Sequence, residues 1–293
     1  LARTYLGLLR YMQLQDGRFH DRLNYDKSYA DDSGGQECLG KALEGLGVTV
    51  ALEEEEALVS FAKLMFDEAL VGLELSYPRS MAYAACGCYH YLTRFPGASL
   101  AEAALERLAS DLLEAYRRNA REGWEWFEDE LTYANGLLPR ALFLAFRATG
   151  DERYRRTAAD SLGFLTRVCF TDGYFDLVGD QGWFRRGGER AKFNQLPIEV
   201  ASLVGAYVDA FTVTRSDDYL ELARAAFEWF LGRNALNVPL YDFAMFACSD
   251  ALMVQGVSPN MGAEATVAWL ISLLRVQTVL HLGPLGAPGP DAA

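Results

Sequence analysis

Histidine is scarce in this chain, three residues in 293, at His20, His90 and His281. They are too scattered in the sequence to suggest a histidine-based site. Basic side chains are outnumbered, 27 Lys and Arg against 40 Asp and Glu, which leaves a net charge of -13. Nucleic acid demands a basic face, so this balance argues against nucleic-acid binding. It argues equally against an anionic membrane surface. Cysteine is limited to Cys38, Cys86, Cys88, Cys169 and Cys248. The odd count without framework spacing reads as free thiols in a reducing compartment, the cytoplasm. Cys86 and Cys88 lie two apart on an expected helix and point to different faces, so with His90 they make no metal site, and no metal or cofactor is expected. No apolar run of transmembrane length is apparent, so membrane insertion is not expected. Residues 1–14 are interrupted by Arg3 and Arg10 and lack the cleavage site of a signal peptide. The Asp31-Asp32 pair is too short to be the Asp-rich metal motif of a prenyl cyclase.

What the chain does hold is aromatic and acidic. Residues 124–139, WEWFEDELTYANGLLP, set Trp124, Trp126, Phe127 and Tyr133 among Glu125, Glu128, Asp129 and Glu130. Flat aromatic faces beside carboxylates suit a sugar, because rings cover its C–H faces while acids bind hydroxyls or move protons. The same residues also read as core aromatics and a solvated acidic loop favouring the positive start of the next helix.

Apolar spacing predicts helices over 1–14, 33–46, 53–73, 76–92, 100–119, 137–148, 151–168, 194–212, 217–231 and 260–281. Asp172-Gly173 between aromatic runs predicts a β-hairpin, and Gly187-Gly188 a second turn, giving a small β insertion near 170–190. Residues 233–259 read as a long loop with one short helix. The tail, 283–293, is rich in Gly, Pro and Ala and is expected to be disordered. Ser33, Ser76, Asn135, Asn194 and Asn260 are candidate N-caps, each leading into a helix of small residues. Between them lie charged, amphipathic helices. Small residues let inner helices crowd together, and amphipathic helices suit an outer ring. The expected fold is therefore all-α, an (α/α) toroid of five to six helical hairpins in a single domain over 1–282. An ordinary stack of helix pairs is the plainer alternative, and the long loops ahead of the inner helices favour the ring.

If the inner helices run parallel, their N-termini open at one end. Gln36, Glu37, Arg79, Arg140, Gln195, Glu199 and Glu264 then converge with Asp31, Asp32, Trp126, Glu128, Asp129, Tyr133 and Trp183 from the preceding loops. Acids in first helical turns also have a capping explanation. A carboxylate on an otherwise small and apolar inner helix must pair or be used.

Several segments resemble a known group: DGRFHDRLNYD (16–26), DDSGGQECLGKAL (31–43), WEWFEDELTYANGLLPRAL (124–142), FNQLPIEVAS (193–202), FEWFLGRN (227–234), PLYDFAMFACSDAL (239–252) and NMGAEATVAWL (260–270). The chain resembles the (α/α) six-hairpin glycosidase superfamily. It is most similar to the α-toroid domain associated with, or fused to, bacterial family-4-type glycosyltransferases. That resemblance implies a carbohydrate-facing cavity, a bacterial cytoplasmic origin and a glycosyltransferase domain or subunit as partner. The chain departs from the pattern at Glu264-Ala265-Thr266, where a Ser is expected after Glu, and at Asp250-Ala251, where a Gly is expected after Asp.

The leading functional expectation is a glycoside hydrolase-like enzyme acting on an oligosaccharide or glycoconjugate through paired carboxylates. Glu128 is the expected acid, with Glu264 or Glu37 as its partner, and Trp126 the apolar wall raising its pKa. Asp32, Arg79, Trp126, Asp129, Tyr133, Asn135, Trp183, Gln195, Glu199, Asp250 and Asn260 are the expected substrate-binding residues. Arg79 or Arg140 suits a phosphate or uronate. The alternatives are a non-catalytic glycan-binding or partner module of a glycosyltransferase system and a sugar epimerase, the latter usually calling for paired histidines.

Overall fold

The computed structural model describes residues 1–281. The expected disordered tail, 283–293, lies outside the described residues. Those residues contain ten α-helices and eight two-residue strands. They form two compact units, one of Leu1–Arg118 with Ala141–Thr157, the other of Asn119–Arg140 with the chain from Ala158 onward.

The first unit holds α1 (Ala2–Met12), α2 (Gln36–Leu52), α3 (Glu56–Leu70), α4 (Pro78–Arg94) and nearly all of α5 (Ser99–Asn119). α2 and α4 run side by side in the same direction. At their starts, Gln36 Oε1 accepts the Ser76 N–H at 2.7 Å, and at their ends Arg94 Nη1 donates to the Glu53 carbonyl at 2.7 Å. Glycine allows this approach. A Cβ on Gly40 would sit 2.6 Å from the Ser80 carbonyl oxygen, and one on Gly47 would collide with the carbonyl oxygen of Gly87. Twelve residues of α4 are buried, from Arg79 to Tyr91. α3 borders this pair, and the Tyr91 hydroxyl donates to Asp67 on α3 at 2.8 Å.

The helix α6 (Leu137–Thr149) starts in the second unit and continues in the first, and α7 (Glu152–Cys169) does the reverse. The second unit is completed by α8 (Pro197–Thr214), α9 (Asp217–Glu228), a 3-10 turn at Trp229–Leu231, and α10 (Ala263–His281). Asn135 and Gly136, just ahead of α6, meet Glu199 and Ser202 at the start of α8. Asp209 on α8 meets Arg275 on α10 at 3.8 Å, each twelve residues past its helix start. Within this unit too, small-residue helices lie alongside one another and begin at one end.

Four short antiparallel ladders decorate those starts. β1 (Glu130–Leu131) pairs with β4 (Phe184–Arg185), and β2 (Phe170–Thr171) with β3 (Tyr174–Phe175). β5 (Tyr241–Asp242) pairs with β6 (Ala247–Cys248), and β7 (Leu252–Met253) with β8 (Gly256–Val257). The hairpin at Asp172-Gly173 is therefore present. The Gly187-Gly188 turn forms as well, Gly188 N–H donating to the Arg185 carbonyl at 2.9 Å, but the strand ahead of it pairs back to β1. The expected short helix in 233–259 is replaced by the β5–β6 and β7–β8 hairpins.

The candidate N-caps are corrected. α2, α4 and α8 are preceded by Gly35, Tyr77 and Leu196, none with a side-chain cap bond. The polar side chains are engaged elsewhere: Ser33 with Arg18, Ser76 with Gln36, and Asn194 with Asp180. Asn260 also falls short of its helix, which starts at Ala263. A second correction concerns hydrophobic length. By length and composition alone, residues 263–280 of α10, with mean hydropathy 1.3, match a membrane span. The sequence disguises this because Glu264 and Arg275 punctuate the apolar residues. Val267, Leu270, Ile271 and Leu274 line an exposed face of this helix.

Candidate functional site

The aromatic and acidic stretch 124–135 divides between core and surface. Trp126 is fully buried and Phe127 nearly so, with Trp126 edge-on to Phe127. No face of Trp126 is open to a ligand, which corrects its expected role as a sugar platform. Trp124 packs edge-on against Phe164 and Phe184 and donates its indole N–H to the Glu128 carbonyl at 2.8 Å. These rings anchor the segment, leaving its acids at the rim. Glu128, Asp129, Glu130 and Thr132 line a cleft of about 460 Å³ with Arg185 of β4 and the following Arg186. Asp129 pairs with Arg186, Glu130 lies 4.0 Å from Arg185, and Glu125, further back, pairs with Arg167 at 2.7 Å. Glu128 is half-buried in this charged setting.

The aromatic surface comes from a different pair. Tyr133 and Trp183 flank the β1–β4 ladder, both half-buried, with ring centroids 6.3 Å apart. Trp183 has φ +53° and Ala134 φ +48°. A bulky residue in the left-handed region is strained, and such strain clusters at ligand-binding positions.

Behind the rim, several expected substrate ligands are bound by the protein itself. Glu199 accepts the Asn135 backbone N–H and side-chain amide, both at 3.0 Å. Gln195, fully buried, donates to Asp176 at 2.7 Å and accepts the Trp229 indole N–H at 3.1 Å. Asp176 also pairs with Arg190. Asp250 accepts the Gly262 N–H at 2.6 Å and fixes the approach to α10. Arg140 Nε donates to Asp209 at 3.0 Å with both side chains largely buried, so an internal carboxylate stands where a phosphate or uronate was expected. Glu264 and Asn260 are exposed.

The remaining predicted residues belong to the first unit. Glu37 pairs with Lys41 one turn along α2 at 2.8 Å, and Arg79 is buried in the first turn of α4. Asp32 is exposed ahead of α2. Its neighbour Asp31 is tied to His20, a residue that the sequence reading set aside. His20 Nδ1 lies 2.8 Å from Asp31 Oδ1 and 3.0 Å from the Asp31 carbonyl. The hydrogen bond from His20, with those of the Arg22 and Asp21 backbone, holds the Asp31 carboxyl below its usual range. Nearby, burial pushes the Cys38 thiol up to about 12, so it is no nucleophile. The dyad spans eleven residues of irregular loop, where no periodic signal could reveal it. Among the described residues, no group of three or more His, Cys, Asp or Glu is arranged to hold a metal ion.

No protein-family model matches the chain, and no curated protein does. Solved structures do. The GH76A α-1,6-mannanase of Salegentibacter sp. superposes with TM-score 0.65 at 11% identity, over 96% of this chain and 87% of that one. An unsaturated glucuronyl hydrolase specific for heparin gives TM-score 0.63 at 14% identity, over 95% and 77%. Cellobiose 2-epimerase from Bacillus thermoamylovorans gives 0.60 at 10%, over 96% and 88%. An inactive variant of the mannanase, with two consecutive aspartates changed to asparagine, is in complex with α-1,6-mannotriose. The fold is thus all-α, built of helical hairpins, and matches that of these α/α-toroid proteins.

Proposed function

We propose that this chain is a carbohydrate-active protein of the glycoside-hydrolase kind, acting on an oligosaccharide or glycoconjugate. The carrying observation is the β1–β4 rim, where half-buried Glu128 lines a cleft close in sequence and ladder register to the Tyr133–Trp183 pair. In this reading the carboxyl protonates a leaving oxygen and the rings cover a sugar face. The neighbours that share the fold act on glycosidic bonds or sugars by name, which supports this class of ligand. Consecutive aspartates, as altered in the inactive mannanase, occur here at Asp31-Asp32 and Asp217-Asp218. Only Asp31-Asp32 precedes a helix of the small-residue set, so Asp32→Asn is a further variant for the same screen.

The experiment is a screen of α-1,6-mannotriose, unsaturated heparin disaccharides and cellobiose for binding and turnover. Glu128→Gln should lose turnover by about 10²-fold or more while binding persists. Full turnover in this variant removes Glu128 from the role.

A second reading, a non-catalytic glycan-binding module, is favoured by the engagement of Glu199, Gln195 and Asp250 in the protein's own hydrogen bonds. It expects binding without turnover in the same screen. A glycosyltransferase partner rests on the sequence resemblance, and a cytoplasmic setting on that resemblance and on the cysteine pattern. Co-purification of the chain with such an enzyme tests the first, and fractionation of the source cells the second.

A further inference from the structure

α10 is the small-residue helix that the fold covers least. Twelve of the eighteen residues of α8 are buried, against 28% of residues 263–280 of α10. The buried side chains of α10 are Ala265, Ala268, Ser272, Val276 and Val279, and the helix lies against α8 and α9. Its flanks are fixed as well. Trp269 stacks on Tyr241, centroids 3.6 Å apart and planes 7° from parallel. The Cys248 N–H donates to Thr266 Oγ1 at 3.1 Å, and Arg275 reaches Asp209 at 3.8 Å. What remains is one stripe of Val267, Leu270, Ile271 and Leu274, 51%, 45%, 43% and 54% exposed. Spacing of three, four and seven residues puts them on one face. Together they expose on the order of 400 Å² of apolar surface, a patch of the size that marks interaction sites.

The length of α10 would suit a membrane, but its opposite face is already committed to the fold. Glu264 and Arg275 also lie within the same span. A helix so anchored offers a surface, and only the stripe is left to cover.

The stripe matches itself on reversal. Turning the helix end for end about the midpoint between Leu270 and Ile271 exchanges Val267 with Leu274. Two such helices packed antiparallel about a two-fold axis at that midpoint set Val267 against the partner's Leu274. Leu270 then lies beside the partner's Leu270, and Ile271 beside the partner's Ile271. Charge follows the same symmetry. Glu264 and Arg275 stand eleven positions apart, three helical turns, on one edge of the stripe. The reversal places the partner's Glu264 about 3 Å along the axis from Arg275, so each edge pairs a carboxylate with a guanidinium. Both groups are open to such a contact, Glu264 being exposed and the Arg275 side chain 24% exposed.

We propose that this stripe is a homodimer surface, on which a second copy of the chain seats its own α10 antiparallel to the first. The apolar area is about half of the roughly 800 Å² a side of a standard interface, so the dimer is a weak one, with a dissociation constant on the order of 10 µM. The inference is independent of the saccharide reading, because it uses none of the residues of the β1–β4 rim.

The test is sedimentation equilibrium of the full chain from about 1 to about 200 µM, where wild type should pass from monomer to dimer. Leu270→Glu should weaken association by about tenfold or more, and Glu264→Arg by about threefold or more. Both positions are exposed, and near-ultraviolet circular dichroism checks that the variants are folded. Oxidative crosslinking of introduced cysteines, with wild type as the blank for the native thiols, reads the register and decides the matter if Leu270→Glu does not fold. Leu270→Cys should crosslink to itself. Val267→Cys should not, yet should crosslink to Leu274→Cys when the two are mixed. Leu64→Cys on α3, where Leu64 is 49% exposed, should stay uncrosslinked. A wild type that remains monomeric throughout overturns the proposal, as does a dimer indifferent to Leu270→Glu. Self-crosslinking of Val267→Cys overturns the antiparallel arrangement. A monomer that co-sediments with phosphatidylcholine vesicles overturns the proposal in favour of a lipid surface.

Discussion

Glu199 accepts two hydrogen bonds from one residue, the backbone N–H and the side-chain amide of Asn135, each at 3.0 Å and 64 positions away in the sequence. The pair pins the loop before α6 to the first turn of α8. Glu199 is 2% exposed and Asn135 fully buried, so water cannot replace either partner. Glu199→Ala is expected to destabilise the fold by about 3 kcal/mol, because two buried donors lose a charged acceptor. Glu199→Gln keeps one acceptor and should cost about half as much. Urea unfolding of the three proteins checks the order, and equal stabilities would contradict the pinning role.

Two glycines of α2 offer a sharper contrast. A Cβ at Gly47 would strike the Gly87 carbonyl, whereas at Gly45 nothing lies within 4 Å. Gly47→Ala should force α2 and α4 apart and cost about 3 kcal/mol. Gly45→Ala should instead stabilise by about 0.5–1 kcal/mol, by reducing the freedom of the unfolded chain. Thermal melts of both variants give the two signs. A stabilised Gly47→Ala would mean that the helices do not approach as closely as described.

Trp183 separates stability from binding. Its φ of +53° is cheap for glycine and costly for other residues. Trp183→Gly should be more stable than Trp183→Ala by about 1–2 kcal/mol. Both variants should lose saccharide affinity, about tenfold, because the ring proposed to cover the sugar is gone. Calorimetric titration with α-1,6-mannotriose, alongside melting temperatures, reads both quantities. Unchanged affinity would move the sugar away from this ring.

Acid should release the His20 loop. The hydrogen bond from His20 keeps the Asp31 carboxyl below its usual value of 3.8. A depressed folded-state value contributes stability above that pH, and the contribution disappears as pH falls through the folded value. Asp31→Asn should therefore lower the urea midpoint at pH 6, with the gap from wild type closing below about pH 3.8. A gap that persists unchanged to pH 2 would show that the carboxylate charge plays no part.

The class of fold was legible in the residues themselves. Stretches such as 197–214 and 263–281 are dense in small and apolar residues, while 99–119 and 152–169 alternate apolar and charged faces. Those patterns are local, and the packing of hairpins follows from them. The Asp172-Gly173 hairpin was equally local. What only the tertiary structure decided is which polar groups remain for a ligand. Trp126 and Trp183 look alike in sequence, yet one is sealed in the core and the other stands at the rim. Glu199 was readable as a substrate-binding candidate until Asn135 met it, and His20 as a bystander until Asp31 did. Each of these outcomes depends on partners from distant parts of the chain or from aperiodic loops. A carboxylate's role is set by what neutralises it and what keeps water away, and neither is written in the residues on either side of it.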